Sequence, residues 1–250
     1  ALASGTERGI SVKKKNWWEE PFDDHWEILE IPGVVEPRQA RSRKTFEEIL
    51  NAASELLYEV GLQGTTVQEV LGRSRVGASS FYGKFEGRDA MLEYMAALFW
   101  LGARDEWGLV LDPRRWEEGG PVSIVEQVMN MLVGWFRAEE AVLKAFLLHA
   151  LGEPEGRKMK RISKFDNWLA DGMIALLVDG GKGVGHESPR LGVRVATLQS
   201  IATVRSRLLF VGREGEDGIS DESLAYEMTR GFLGHLQLVK EKEKASQSQG

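Results

Sequence analysis

Residues 73–85, RSRVGASSFYGKF, concentrate side chains that bond anions: Arg73, Arg75 and Lys84 carry charge, Ser79 and Ser80 offer hydroxyls, and Tyr82 offers a phenolic donor. Short hydroxyls and the free N–H groups of a helix N-terminus bond phosphate oxygens without bulk, and lysine adds charge. Serine pairs with several base edges, so Ser79 and Ser80 predict contact without predicting a base sequence. Phe81 and Phe85 stand four residues apart, the spacing of one buried helix face. The stretch is therefore expected to be a helix anchored by its phenylalanines, with Ser79, Ser80, Tyr82 and Lys84 presented.

Such a helix needs a support that fixes its pose. Upstream, Phe46, Ile49, Leu50, Ala53, Leu56, Leu57 and Val60 recur at spacings of three and four, predicting one apolar face of a longer helix. Thr45 with Glu48 has the capping-box pattern at its start, and Gly61 is expected to end it. Thr66 is placed to cap a second short helix, with Glu69 at the reciprocal position and Val67, Val70 and Leu71 inward. Three helices, the last two joined by a tight turn, make a helix-turn-helix, whose final member enters a DNA major groove. From Glu36 to Asp89 there are eight basic and eight acidic residues, so the segment is net neutral. The basic ones fall in the arm, the turn and the third helix, whereas Glu47, Glu48, Glu55 and Glu59 fall on the first helix, a separation that favours one cationic surface.

The remainder of the chain sets limits on the chemistry. With 250 residues, 42% apolar and 28% charged, the chain is long enough to bury a sizeable core in one or two domains. A net charge of −6 argues against indiscriminate coating of nucleic acid and leaves room for a local basic patch. No apolar run approaches a membrane span and no secretory signal stands at the start, so a cytoplasmic location is expected, with no membrane partner. Without cysteine there are no thiolate metal sites or cysteine nucleophiles. The histidines, His25, His149, His186 and His235, lack ligand spacing, and no serine sits in an elbow motif. The expectation is accordingly no enzyme, no metal and no cofactor.

The stretch ILNAASELLYEVGLQGTTVQEVLGRSRVGASSFYGKFEGRDAML, residues 49–92, resembles the DNA-binding region of the tetracycline-repressor (TetR) family of bacterial transcriptional regulators. The resemblance rests on Ala52-Ala53, the glycine before Thr65-Thr66-Val67, the Phe81-Tyr82 pair ahead of Phe85, and the charged opening of a fourth helix at Arg88 and Asp89. It implies a homodimer on double-stranded operator DNA and a ligand-responsive repressor. The implied DNA contacts are Thr65, Thr66, Arg75, Ala78, Ser79, Ser80, Tyr82 and Lys84, preceded by Arg38, Arg41, Arg43 and Lys44. The chain departs from the family pattern where Arg75 replaces the turn glycine, Gly77 replaces the serine cap, and Ser79 replaces a further glycine. A left-handed Arg75 costs on the order of 1 kcal/mol.

The fold class expected is all-α: an N-terminal extension at 1–36, a helix-turn-helix domain at 37–87, a helical effector-binding and dimerisation domain at 88–240, and a disordered tail at 241–250. Later helices are expected from about Arg88 to Val110, from Pro121 through Phe136, near 139–151, over about 155–178, from Ser188 and Pro189 to about Phe210, and from Ser220 to about Val239. The glycine-rich DGGKGVGHES lacks the spacing and terminal Lys-Ser or Lys-Thr of a phosphate loop, so it reads as a hinge. The helices at about 189–210 and 221–239 are expected to pair across a two-fold axis through Leu191, Val195, Leu198, Ile201 or Ala202, Leu208 and Leu209, and through Leu224, Met228, Phe232, Leu236 and Val239. The middle helices are rich in rings, and Trp100, Trp107, Phe136, Phe146, His149 and Trp168 are expected to contact a small apolar or aromatic effector. The competing reading is a helical ligand-binding or protein-interaction dimer that does not bind DNA. A steep fall of duplex affinity with salt separates the two.

Overall fold

A computed structural model describes residues 31–35, 37, 39–153, 156–211 and 218–237. The Trp-rich part of the extension, Arg38, Val239 and the tail lie outside them. Helices follow one another as α1 (Ala40–Gly64), α2 (Val67–Ser74), α3 (Ala78–Tyr82), α4 (Arg88–Val110), α5 (Pro121–Ala138), α6 (Glu140–Leu151), α7 (Arg157–Ile174), α8 (Pro189–Phe210) and α9 (Asp221–His235). A short 3-10 turn at Pro113–Trp116 and a π-helical turn at Ala175–Asp179 join them. The expected all-α class is what forms.

The first helix begins earlier than its capping pattern predicted. Gln39 holds the N-cap position without a side-chain bond, and Thr45 lies inside the helix, where its hydroxyl donates back to the Arg41 carbonyl at 3.2 Å. Thr45 is thus no cap; its hydroxyl finds a carbonyl one turn back, as mid-helix threonines do. Arg41, Arg43 and Lys44 accordingly sit on the first turns of α1 rather than on an arm before it. Gly61 does break the regular helix, with φ 68° and ψ −172°, a conformation confined in practice to glycine. Val60, expected on the apolar face, is exposed beside this break.

Packing joins the two halves into one body. Helix α1 lies against both α2 and α6, α5 lies along α9, and α7 lies along α8. Tyr58 of α1 donates to Glu139 Oε2 at 3.0 Å, at the α5–α6 junction. Burial pushes the Glu139 carboxyl above its ordinary range, opposed by the Tyr58 bond. Arg88, at the start of α4, donates through Nε to the Thr65 carbonyl at 2.6 Å and through Nη2 to the Leu62 carbonyl. It supplies charged donors to carbonyls that the end of α1 leaves open.

The two stripes expected to pair between subunits fare differently. On α9, Leu224, Phe232 and Leu236 are buried within the subunit, because α5 covers that face. On α8, Ile201 and Leu208 turn inward, while Leu191 is 59% exposed and Phe210 81% exposed. Val195, Leu198 and Leu209 are half-buried and Ala202 is exposed along the same side.

Candidate functional site

The helix-turn-helix is built from local signals that the sequence states openly. Thr66 caps α2, its hydroxyl accepting from the Glu69 N–H at 3.2 Å. Arg75 closes α2 in the left-handed conformation, φ 57° and ψ 21°. A glycine there avoids the clash between Cβ and backbone. Arg75→Gly is expected to raise stability by about 1 kcal/mol while removing an exposed charge. Chemical denaturation checks this, and a lower midpoint would show that Arg75 makes compensating contacts.

Helix α3 then spans only five residues, with Gly77 as an N-cap that offers no side-chain bond. Its anchor is aromatic. Phe81 and Phe85 are fully buried, and Phe85 stacks with ring centroids 4.7 Å from Phe46, 5.6 Å from Phe81 and 6.3 Å from Tyr94. This fixed floor leaves Ala78, Ser79, Ser80 and Tyr82 exposed on the other side, together with Thr66 and Arg75. Arg41, Arg43 and Lys44 are exposed as well.

Two expected contacts are not presented in this way. Thr65 is buried, its hydroxyl donating to the Gly61 carbonyl at 2.8 Å, so it serves the end of α1. Lys84 is only 9% exposed, and its ammonium donates to Ser42 Oγ at 2.7 Å, bracing the exit of α3 on the first turn of α1. The expected charge separation also fails at one point. Arg73 pairs with Glu59 at 2.6 Å and with Glu55 at 3.5 Å, so it stitches α2 to α1.

The ring-rich core is tightly filled rather than hollow. Phe99 lies 5.3 Å from Trp100, 5.9 Å from Trp135 and 5.6 Å from Phe146, while Trp100 lies 5.1 Å from Phe165. The six residues expected to line one effector site separate. Trp100, Phe146 and His149 line a small cavity with Glu93, Lys158 and Arg161, whereas Phe136 lines a groove with Arg137, Arg207 and Asp221 between α5, α8 and α9. Trp107 and Trp168 line neither, and Trp168 instead carries the Arg104 guanidinium 5.5 Å above its ring.

Charge was missed at the small cavity. His149 Nε2 is 3.7 Å from Asp89 Oδ1 and 3.8 Å from Glu93 Oε2, too far for hydrogen bonds, and both Nε2 and Glu93 Oε2 are buried without a partner. Burial pushes the imidazole below its ordinary value and Lys158 adds to this, with Asp89 and Glu93 opposing. Lys158 bonds Asp89 at 2.8 Å, and Arg161 bonds Glu93. The spacing of Asp89 and Glu93 by four and of Lys158 and Arg161 by three puts each pair on one face of its helix, but nothing in the sequence says that the two faces meet. Among the described residues no group of three or more His, Asp or Glu is placed to hold a metal ion. No helix among them is long and apolar enough to cross a membrane.

This geometry can be set beside known proteins. The sequence model of the family described as bacterial regulatory proteins, tetR family, matches residues 49–95. No curated protein matches the chain. Among solved structures, Salmonella enterica GusR is similar with a TM-score of 0.53 at 16% identity, covering 78% of this chain and 96% of its own. SCO3833 from Streptomyces coelicolor A3, a member of the TetR transcriptional regulator family, gives a TM-score of 0.47 at 22% identity, covering 75% of this chain and 90% of its own. At such identities the GusR likeness speaks for the fold, and the matched domain speaks for the activity. Residues 49–95 thus form a DNA-binding domain of the TetR type, with its buried phenylalanine floor and exposed polar turn, and this domain supports a DNA-binding transcriptional regulator.

Proposed function

We propose that the chain is a ligand-responsive repressor that grips double-stranded operator DNA as a homodimer. The observation that carries the docking surface is the opposition of buried Phe81 and Phe85 to exposed Ala78, Ser79, Ser80 and Tyr82 on one short helix. On this reading Thr66, Tyr82, Arg41, Arg43 and Lys44 hold phosphates, and Ala78, Ser79 and Ser80 face base edges. Lys84 acts through Ser42, and Thr65 through the end of α1. The dimer forms chiefly through the outward side of α8, from Leu191 to Phe210, since α9 has spent its apolar stripe on α5. Two-fold pairing of the subunits sets two recognition helices for successive major grooves.

The effector site is the small cavity at Trp100, Phe146 and His149. The cavity as it stands has room for about one water, so an effector with an apolar or aromatic body enters only if the rings around it part, and its polar group then meets His149 Nε2 and Glu93 Oε2. Helix α4 supplies the link, because Glu93 faces the cavity four residues beyond Asp89, while Arg88 holds the Leu62 and Thr65 carbonyls. A ligand that fills the cavity both stabilises the protein and alters operator affinity, through one shared coupling energy.

The decisive experiment selects bound duplexes from a random pool and then titrates the selected and a scrambled duplex over a salt series. Tyr82→Phe is expected to weaken both duplexes by a few fold without changing the salt slope, because it removes a hydrogen bond and no charge. Substitutions at Ser79 and Ser80 are expected to shift base preference instead. If a folded Tyr82→Ala, Ser79→Ala, Ser80→Ala variant binds both duplexes as the parent does, α3 does not dock on DNA and the interaction-module reading takes its place.

A further inference from the structure

A helix of five residues has no stability of its own, because helix nucleation alone outweighs the few bonds it closes. Helix α3 also begins at a glycine without a side-chain cap. Its pose must therefore come from outside, and Phe81 and Phe85 supply only the floor. The exit of the helix, Lys84 to Glu86, is gripped by a second element that precedes α1 in the chain.

Residues 31–35, IPGVV, run alongside that exit. Val35 N–H donates to the Lys84 carbonyl at 2.8 Å, and Glu86 N–H donates to the Gly33 carbonyl at 2.7 Å, forming one antiparallel bridge between Val34 and Phe85. Ile31, 8% exposed, is buried in the same core as Phe46 and Phe85. The segment bends at Gly33, with φ 78°, where a Cβ would lie 3.0 Å from Glu86 Cβ and 3.2 Å from Ala90 Cβ. Glycine is required there both for its backbone and for the close approach. Backbone pairing of this kind fixes position along one direction to within a hydrogen bond's tolerance, which side-chain packing alone does not.

We infer that residues 31–35 are a positioning strap for the recognition helix: they set the angle at which α3 meets DNA, so operator discrimination depends on them although they lie outside residues 49–95. Gly33 and Val35 are positioning residues, acting on DNA only through Lys84 and Glu86. The expected boundary between extension and DNA-binding domain at residue 36 leaves the whole strap on the side of the extension, although Ile31 is buried in the core with Phe46 and Phe85.

The test uses full-length Gly33→Ala and Val35→Pro. The first places a Cβ against Glu86 and Ala90 at positive φ, and the second removes the N–H bonded to Lys84. Both are measured for thermal unfolding and for affinity to a selected operator and to scrambled duplex across salt. The strap predicts that the operator-to-scrambled affinity ratio falls by about tenfold in each variant, with scrambled-duplex affinity, its salt slope and helix content unchanged. A merely structural segment gives a different result: both affinities fall together as the motif unfolds, which overturns the proposal. A folded variant whose ratio stays within about twofold of the parent overturns it as well. In the parent protein, the amides of Val35 and Glu86 are expected to exchange slowly with solvent; fast exchange at both is incompatible with the strap whatever the variants do.

Discussion

Phe85→Ala is expected to lower stability by about 3–5 kcal/mol, the cost of deleting a fully buried ring. The ring is enclosed by Phe46, Phe81 and Tyr94, so the cavity left behind has rigid aromatic walls and little freedom to collapse. Because Phe85 also follows the exit of α3, the loss falls on the recognition helix first, and operator binding is expected to disappear before the larger helical domain melts. Denaturant unfolding followed separately by tryptophan fluorescence and by DNA binding tests this, since every tryptophan among the described residues lies beyond the DNA-binding helices. Phe85→Leu, which keeps most of the volume, is expected to cost less than about 1.5 kcal/mol. An alanine variant with an unmoved midpoint and intact binding would remove the aromatic floor from the account of the site.

Arg205→Met is expected to cost a comparable amount, about 3 kcal/mol, by a different mechanism. Arg205 grips Asp166 with two parallel bonds, 2.9 and 2.7 Å, and the carboxylate is only 11% exposed. Removing the guanidinium leaves that charge nearly buried and uncompensated. Replacing both partners, with Asp166→Leu and Arg205→Met together, is expected to recover most of the loss, since the desolvation of two ions also vanishes. Urea titrations at one fixed protomer concentration complete the double-mutant cycle. A single-variant cost below about 0.5 kcal/mol would place the pair among solvent-screened surface ion pairs. Arg205 occupies the outward side of α8 between Ala202 and Leu209, so the same pair lies within the apolar surface assigned to dimer contact.

What could be read from the sequence was local. Helix α4 runs over Arg88–Val110 and α5 opens at Pro121, as the apolar spacing and first-turn proline indicated. Thr66 caps α2 because a hydroxyl followed by a free N–H is a short-range arrangement, and Arg75 turns left-handed because the chain must reverse within three residues. Thr45 and Thr65 were lost to carbonyls one turn back, but the other readings that failed depended on partners distant in the chain. Lys84 looked free until Ser42, 42 residues earlier, took its ammonium. The α9 stripe looked like a subunit contact until α5 covered it. Asp89 and Lys158, 69 residues apart, meet only because α4 and α7 pack together, and neither spacing nor residue type announces such a meeting.

Arg88 and Asp89 are neighbours in the chain that bond different halves of the molecule. Arg88 bonds the carbonyls of Leu62 and Thr65, within the DNA-binding half, whereas Asp89 bonds Lys158 of α7. Along the chain the change of partner thus falls at a single peptide bond, while α1 against α6 and Tyr58 on Glu139 also join the halves. For the engineering of chimaeric sensors this dictates where to cut: a transplanted DNA-reading head has to carry everything from Ile31 through Arg88, and the recipient body has to supply its own acid at the position of Asp89. A graft joined a few residues earlier, at the visible loop around Gly87, separates the head from the arginine that closes its first helix, and yields a protein whose two halves each fold but no longer speak to one another.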